Sequence, residues 1–180
     1  MTATATLNTL TAGTWAIDPT HTEVGFVARH LMVTKVRGSF TDVTGTVEVA
    51  ENVTDSVANV VIKTASVSTG TPDRDGHLRS ADFFDVETYP EITFVSTAFD
   101  GESLTGDLTI KDVTKPVTLK VEYGGVATDP FGNARAGFSA EVDVEREEWG
   151  LTWNAALETG GVLVSKKIKL SLDVSAIKSA

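Results

Sequence analysis

The chain contains no cysteine, which excludes thiolate metal sites, cysteine nucleophiles, thiol redox switches and disulfides. Basic residues are scarce: 15 Lys and Arg stand against 25 Asp and Glu, a formal net charge of -10. So acidic a balance lacks the clustered cations that nucleic-acid phosphates require. It equally disfavours electrostatic docking on anionic lipid headgroups. No stretch is long and apolar enough for a membrane-spanning helix. The opening MTATATLNTLTAGTW has neither the basic start nor the apolar run of a secretory leader. These absences predict a cytoplasmic protein whose residues 1–13 form a loosely attached arm. Residues 14–180 then make one domain, with a core large enough to stand without crosslinks.

What is present is a period of two. Val24, Phe26 and Ala28 alternate with Gly25, Val27 and Arg29, and Val60 and Ile62 with Asn59, Val61 and Lys63. Ile92, Phe94, Ser96 and Ala98 oppose Thr93, Val95, Thr97 and Phe99. The same alternation runs through Leu104–Ile110, Val117–Tyr123, Phe138–Val144 and Ile168–Val174. Each is a half-buried strand with one wet face, the antiparallel signature. Short breaks separate them, at Asp100-Gly101, Lys111–Lys115, Gly124-Gly125, Asp129–Asn133 and Gly160-Gly161. About eight strands joined mostly by hairpins predict an all-β sandwich or closed barrel, and closure disposes of the Val- and Thr-rich edges.

One segment breaks the pattern. Thr71 suits a helix cap, Pro72 a first helical position, and Asp73 and Asp75 the positive helix N-terminus. A short helix near residues 73–83, tipped by Phe83 and Phe84 and stopped by Glu87–Pro90, would sit as a flap over the barrel end. An eight-stranded barrel either fills with its own side chains or admits one small ligand. Gly25, Gly45, Gly106, Ala98 and Ala140 on the inner faces leave volume, or else mark bends in a packed core. Composition leaves both readings open.

Catalytic and metal motifs are weak. Asp73-x-Asp75-Gly76 opens like a calcium loop, but the twelfth position is Phe84 where a Glu is required. His21, His30 and His77 show no metal-ligand spacing. Gly137-Phe138-Ser139-Ala140-Glu141 lacks the last glycine of a nucleophile elbow. No phosphate loop or dinucleotide fingerprint occurs, so no cofactor is implied. Asn52-Val53-Thr54 reads as a surface loop. Arg37, Arg74, Arg79 and Arg146 are the candidates for polar work at a cavity mouth, Arg146 first because it precedes a Trp-Gly turn.

Several motifs, in order, resemble the YceI family of lipocalin-like, polyisoprenoid-binding proteins. They are Trp15-x-Ile17-Asp18-Pro19-x-His21-Thr22-x-Val24-x-Phe26, Val36–Phe40, and Arg74-Asp75-x-His77-Leu78-x-Ser80-x-Asp82-Phe83-Phe84. Tyr89-Pro90-x-Ile92-x-Phe94, Leu104-x-Gly106-x-Leu108-x-Ile110, Thr114-x-Pro116-Val117 and Arg146-x-x-Trp149-Gly150 complete the set. The resemblance spans about Trp15 to Ile177 and implies an eight-stranded antiparallel lipocalin-like barrel holding a long amphiphile in an apolar tunnel. It also allows a homodimer. Glu147, Glu148 and Trp149 depart from the family's usual small residue and Phe after the arginine, which predicts a more acidic, bulkier mouth.

The expected function is therefore binding, storage or transport of a polyisoprenoid, an isoprenoid quinone precursor or a fatty amide, without catalysis. The expected wall is Phe26, Phe40, Ile62, Leu78, Phe83, Phe84, Ile92, Phe94, Leu104, Leu108, Val121, Phe138, Trp149, Leu170 and Leu172, with His77 and Arg146 near the headgroup. The alternatives are a metal-dependent or acid–base hydrolase using His21 and His77, and a solid domain with a self-filled interior.

Overall fold

A computed structural model describes residues 7–31, 33–155 and 163–179. Its eleven strand segments are β1 (Gly13–Ile17), β2 (Glu23–His30), β3 (Thr34–Phe40), β4 (Val43–Val49), β5 (Val57–Lys63), β6 (Val67–Ser68), β7 (Glu91–Phe99), β8 (Ser103–Ile110), β9 (Val113–Thr128), β10 (Ala134–Glu145) and β11 (Lys167–Lys178). All pairings are antiparallel, and β1 bonds both β4 and β11, which closes the sheet. Three pairs of segments act as single bent strands. β1 and β2 follow one another along β11, β3 and β4 run back along them, and β6 continues β5 beside β3. With β7 to β11 these make the expected eight-stranded closed barrel.

The bend between β1 and β2 is a 3-10 turn at Pro19–His21, capped by the Asp18 side chain on the Thr20 N–H. That carboxylate also takes a bond from Arg135 at 2.7 Å, and Arg135 holds Asp129 of the β9–β10 hairpin at 2.7 Å. The bent strand is thereby tied to that hairpin at one barrel end. Arg135, then His21 and Thr20, hold the Asp18 carboxyl well below the usual carboxylate range.

Local chemistry changes several expected details. The single α-helix among the described residues, α1 (Pro72–Arg79), ends four residues before the expected position 83. Ser80 leaves helical geometry with its hydroxyl on the His77 carbonyl, and Thr71 stands at the N-cap without a side-chain bond. Gly124-Gly125 is no turn, because β9 runs straight through it with a bulge opposite Gly137/Phe138. A second bulge, between Ser96 and Ala98 of β7, turns Ala98 outward and Phe99 inward, reversing the alternation beyond it. Gly160-Gly161 lies outside the described residues.

The expected arm over residues 1–13 is attached in its second half. Leu7–Thr9 form a 3-10 turn and Leu10 is buried with Trp15, Val49 and Tyr123. The Trp15 indole donates to the Thr11 carbonyl at 2.9 Å. Of the two readings left open for the inner glycines, Gly106 takes the packing one, and Gly38 behaves alike. A Cβ on Gly38 would overlap the Phe26 ring, and one on Gly106 the Phe94 ring. Those glycines make room for aromatic side chains lying across the sheet, not for a ligand.

Candidate functional site: a two-chambered apolar lumen

The lumen is not filled by side chains. A narrow chamber of about 180 Å³ lies toward the Tyr123 and Leu10 end, and a wider one of about 590 Å³ toward α1. Val24, Ile62, Leu108 and Leu170 line both, so the two chambers meet at one ring of aliphatic side chains. The narrow chamber has no charged lining residue and only Ser56, Tyr123 and Ser139 as polar ones. Because alternate residues of a strand face one side, each strand delivers its apolar series to this space.

All seventeen residues expected at the site line the lumen. Phe94, Leu104, Val121, Phe138 and Leu172 wall the narrow chamber. Phe26, Phe40, His77, Leu78, Phe83, Phe84, Ile92, Arg146 and Trp149 wall the wide one, and Ile62, Leu108 and Leu170 face both. Sequence reasoning missed Leu7 and Leu10, hidden in the supposed arm, and Phe99, displaced by the bulge. It also missed Trp153 and Val164, which lie where no strand period guides a reading.

The wide chamber carries the polar groups. Phe83, Trp153 and His77 form an aromatic corner, the imidazole lying edge-on 5.1 Å from Phe83 and 4.6 Å from Trp153. His77 Nε2 meets Asp82 Oδ2 at 2.8 Å, which fixes the ring's orientation. Trp149 is buried, its indole N–H donating to the Leu108 carbonyl at 2.9 Å. Its bulk is therefore fixed in the wall of the wide chamber.

Arg146 is only 5% exposed. It donates to the carbonyls of Ser165 (2.9 Å), Leu151 (2.6 Å) and Val164 (3.4 Å), and burial lowers its pKa. It therefore fixes the chain that follows β10 and brings a buried positive charge to the wall. Arg74 is occupied by Thr69, and Arg79 by the Ala65 and Val67 carbonyls away from the lumen. Arg37 stands exposed at the rim.

The acidic mouth expected from Glu147 and Glu148 does not form. Glu147 faces Lys166 at 3.8 Å, and among the described residues no carboxylate lines either chamber. His21 lines neither chamber. It is 65% exposed and bonded to Asp18 at 2.8 Å, so it does not join His77 in one site. Among the described residues no three His, Asp or Glu converge as a metal site would need, and no helix is long and apolar enough to cross a membrane.

Comparison with known proteins agrees with the geometry. The YceI-like domain matches residues 15–176. A UPF0312 protein of Staphylococcus aureus strain USA300 is 38% identical over 157 residues, covering 86% of this chain and 92% of its own. Among solved structures, the Campylobacter jejuni YceI protein is 31% identical with a TM-score of 0.70, covering 84% of this chain and 90% of its own. A polyisoprenoid binding domain from Saccharophagus degradans shares the fold at TM-score 0.72 and 17% identity, covering 92% and 98% of the two chains. With a family match across most of its length and the same closed barrel, this chain belongs to the YceI-like family.

Proposed function

We propose that the protein binds one long-chain amphiphilic lipid inside the barrel, as a carrier or store and without catalysis. The observation that carries this reading is the ring of Val24, Ile62, Leu108 and Leu170, shared by a fully uncharged chamber and a wider, partly polar one. An acyl or prenyl chain would thread the ring into the narrow chamber, leaving its head near His77, Trp153 and Arg146. Burial of apolar carbon is worth about 0.8 kcal/mol per methylene, so ten to fifteen carbons give roughly 8–12 kcal/mol gross. Association and ordering costs reduce that sum. The polyisoprenoid binding of the Saccharophagus degradans domain makes isoprenoids the first class to try, beside quinone precursors and fatty amides.

The test is organic extraction of the purified protein with mass spectrometry, followed by titration of the stripped protein with prenyl lipids and fatty amides. Recovery of a stoichiometric long-chain lipid, or saturable uptake, is the expected result. A protein that is repeatedly empty and takes up none of them would overturn the reading.

A further inference from the structure

The charge of -10 is unevenly spread. From Val24 to Thr41 the sequence has no acidic residue and includes Arg29, His30, Lys35 and Arg37. This is the β2–β3 hairpin. Its register sets Arg29 opposite Lys35 and Val27 opposite Arg37, while Ala28 and Val36 form the pair between them. The three cations therefore share one face of the hairpin, opposite Ala28 and Val36, and all three also border the wide chamber at its exposed rim. All three are exposed, and none has a side-chain hydrogen bond or ion pair among the described residues.

The tip of this hairpin is apolar where turns are ordinarily polar. Leu31 is 42% and Val33 77% exposed. The turn closes through Val33 N–H on the His30 carbonyl at 3.1 Å, and Leu31 N–H reaches the Leu163 carbonyl at 2.8 Å. Leu31 has φ 56, a left-handed conformation that suits Gly or Asn and disfavours leucine. Neither turn chemistry nor core packing accounts for an aliphatic residue here. A few residues along, Ala28, Arg29 and His30 and the facing Thr34, Lys35, Val36 and Arg37 of the same hairpin line the wide chamber.

We infer that the β2–β3 tip is a docking element for an anionic lipid bilayer. Leu31 and Val33 enter the boundary between headgroups and acyl chains, while Arg29, Lys35 and Arg37 meet lipid phosphates. Apolar side chains flanked by unpaired cations are the composition of interfacial anchors. The acidic remainder of the chain is repelled by the same surface, so this end approaches first and the chamber mouth arrives with it. Docking stands independently of what fills the barrel; lipid exchange through the mouth rests on the proposed function.

The full chain is to be sedimented with vesicles of mixed phosphatidylglycerol and phosphatidylcholine, and with phosphatidylcholine alone. Binding to the mixed vesicles should be at least about tenfold stronger, since each cation near an anionic surface contributes on the order of fivefold, and high salt should remove the difference. The double substitution Leu31→Asn with Val33→Ser suits the turn and touches neither chamber; it should weaken vesicle binding by about tenfold. Its uptake of a fluorescent fatty acid presented from detergent should stay at the unsubstituted level. Equal binding to both vesicle types, no sedimentation, or unchanged sedimentation of the double variant would overturn the inference. Vesicle binding without fatty-acid uptake would instead sustain the docking and overturn the lipid-carrier reading.

Discussion

The guanidinium of Arg146 lies over the Phe83 ring, its central carbon 5.8 Å from the ring centroid. This contact joins the end of β10 to the chain after α1, the two pieces that flank the wide chamber. The cation spends its N–H groups on three backbone carbonyls while its flat face covers an aromatic ring. It is thus a structural fastener that also supplies charge to the wall. Arg146→Ala strands the carbonyls of Ser165 and Leu151, while Val164 keeps its bond from the Asn154 amide, and should cost about 2–4 kcal/mol in urea unfolding. Arg146→Lys keeps the charge but replaces the planar fork with a point donor, so it should recover less than half of that loss.

Two glycines should respond oppositely to alanine. Gly106→Ala drives a methyl into the Phe94 ring and the neighbouring Val95 carbonyl, overpacking that should cost about 1–3 kcal/mol. Gly76→Ala, inside α1 with no atom within 4 Å of the new Cβ, should stabilise by about 0.5–1 kcal/mol. Denaturant midpoints measured on both variants check the pair together.

Acid should loosen the barrel end held by Arg135. Backbone N–H of Asn133, then Arg135, hold Asp129 at about 2, and Asp18 lies lower still through Arg135, His21 and Thr20. A carboxylate whose folded pKa is depressed contributes stability above its unfolded value, near 3.9, and that contribution is lost as pH falls through the folded value. The urea midpoint should therefore decline as pH drops from about 4 toward about 2. Arg135→Met should start from a lower midpoint at neutral pH and show a shallower decline.

The barrel and most of its lining were legible because alternation survives wherever a strand is regular. Leu104 to Ile110 and Val117 to Tyr123 could be assigned to the inner face residue by residue. The failures fall where one inserted residue breaks that period. Phe99 was placed outside because nothing in Ser96-Thr97-Ala98 announces a bulge, and Gly124-Gly125 imitates a turn inside a sixteen-residue strand. Leu7 and Leu10 were lost for another reason: isolated leucines in a Thr-rich stretch carry no periodic signal, and only the barrel opening gives them a partner. Net charge says nothing of where charge sits, because a sum over the chain conceals an eighteen-residue segment of opposite sign.

The continuity of the two chambers is testable at Leu170. This side chain faces the lumen and borders both chambers, yet is only half-buried, since part of what it faces is empty space. A larger residue there should fill void instead of straining the core. In the unsubstituted protein, affinity for a homologous series of fatty acids should rise about fourfold per added methylene until the narrow chamber is full. Leu170→Phe narrows the shared ring, so its affinity should follow the same rise for short chains and then level off several carbons earlier. Calorimetric titration across the series separates the outcomes. Parallel curves at every chain length would show that ligand chains stop in the wide chamber and that the ring is not on their path.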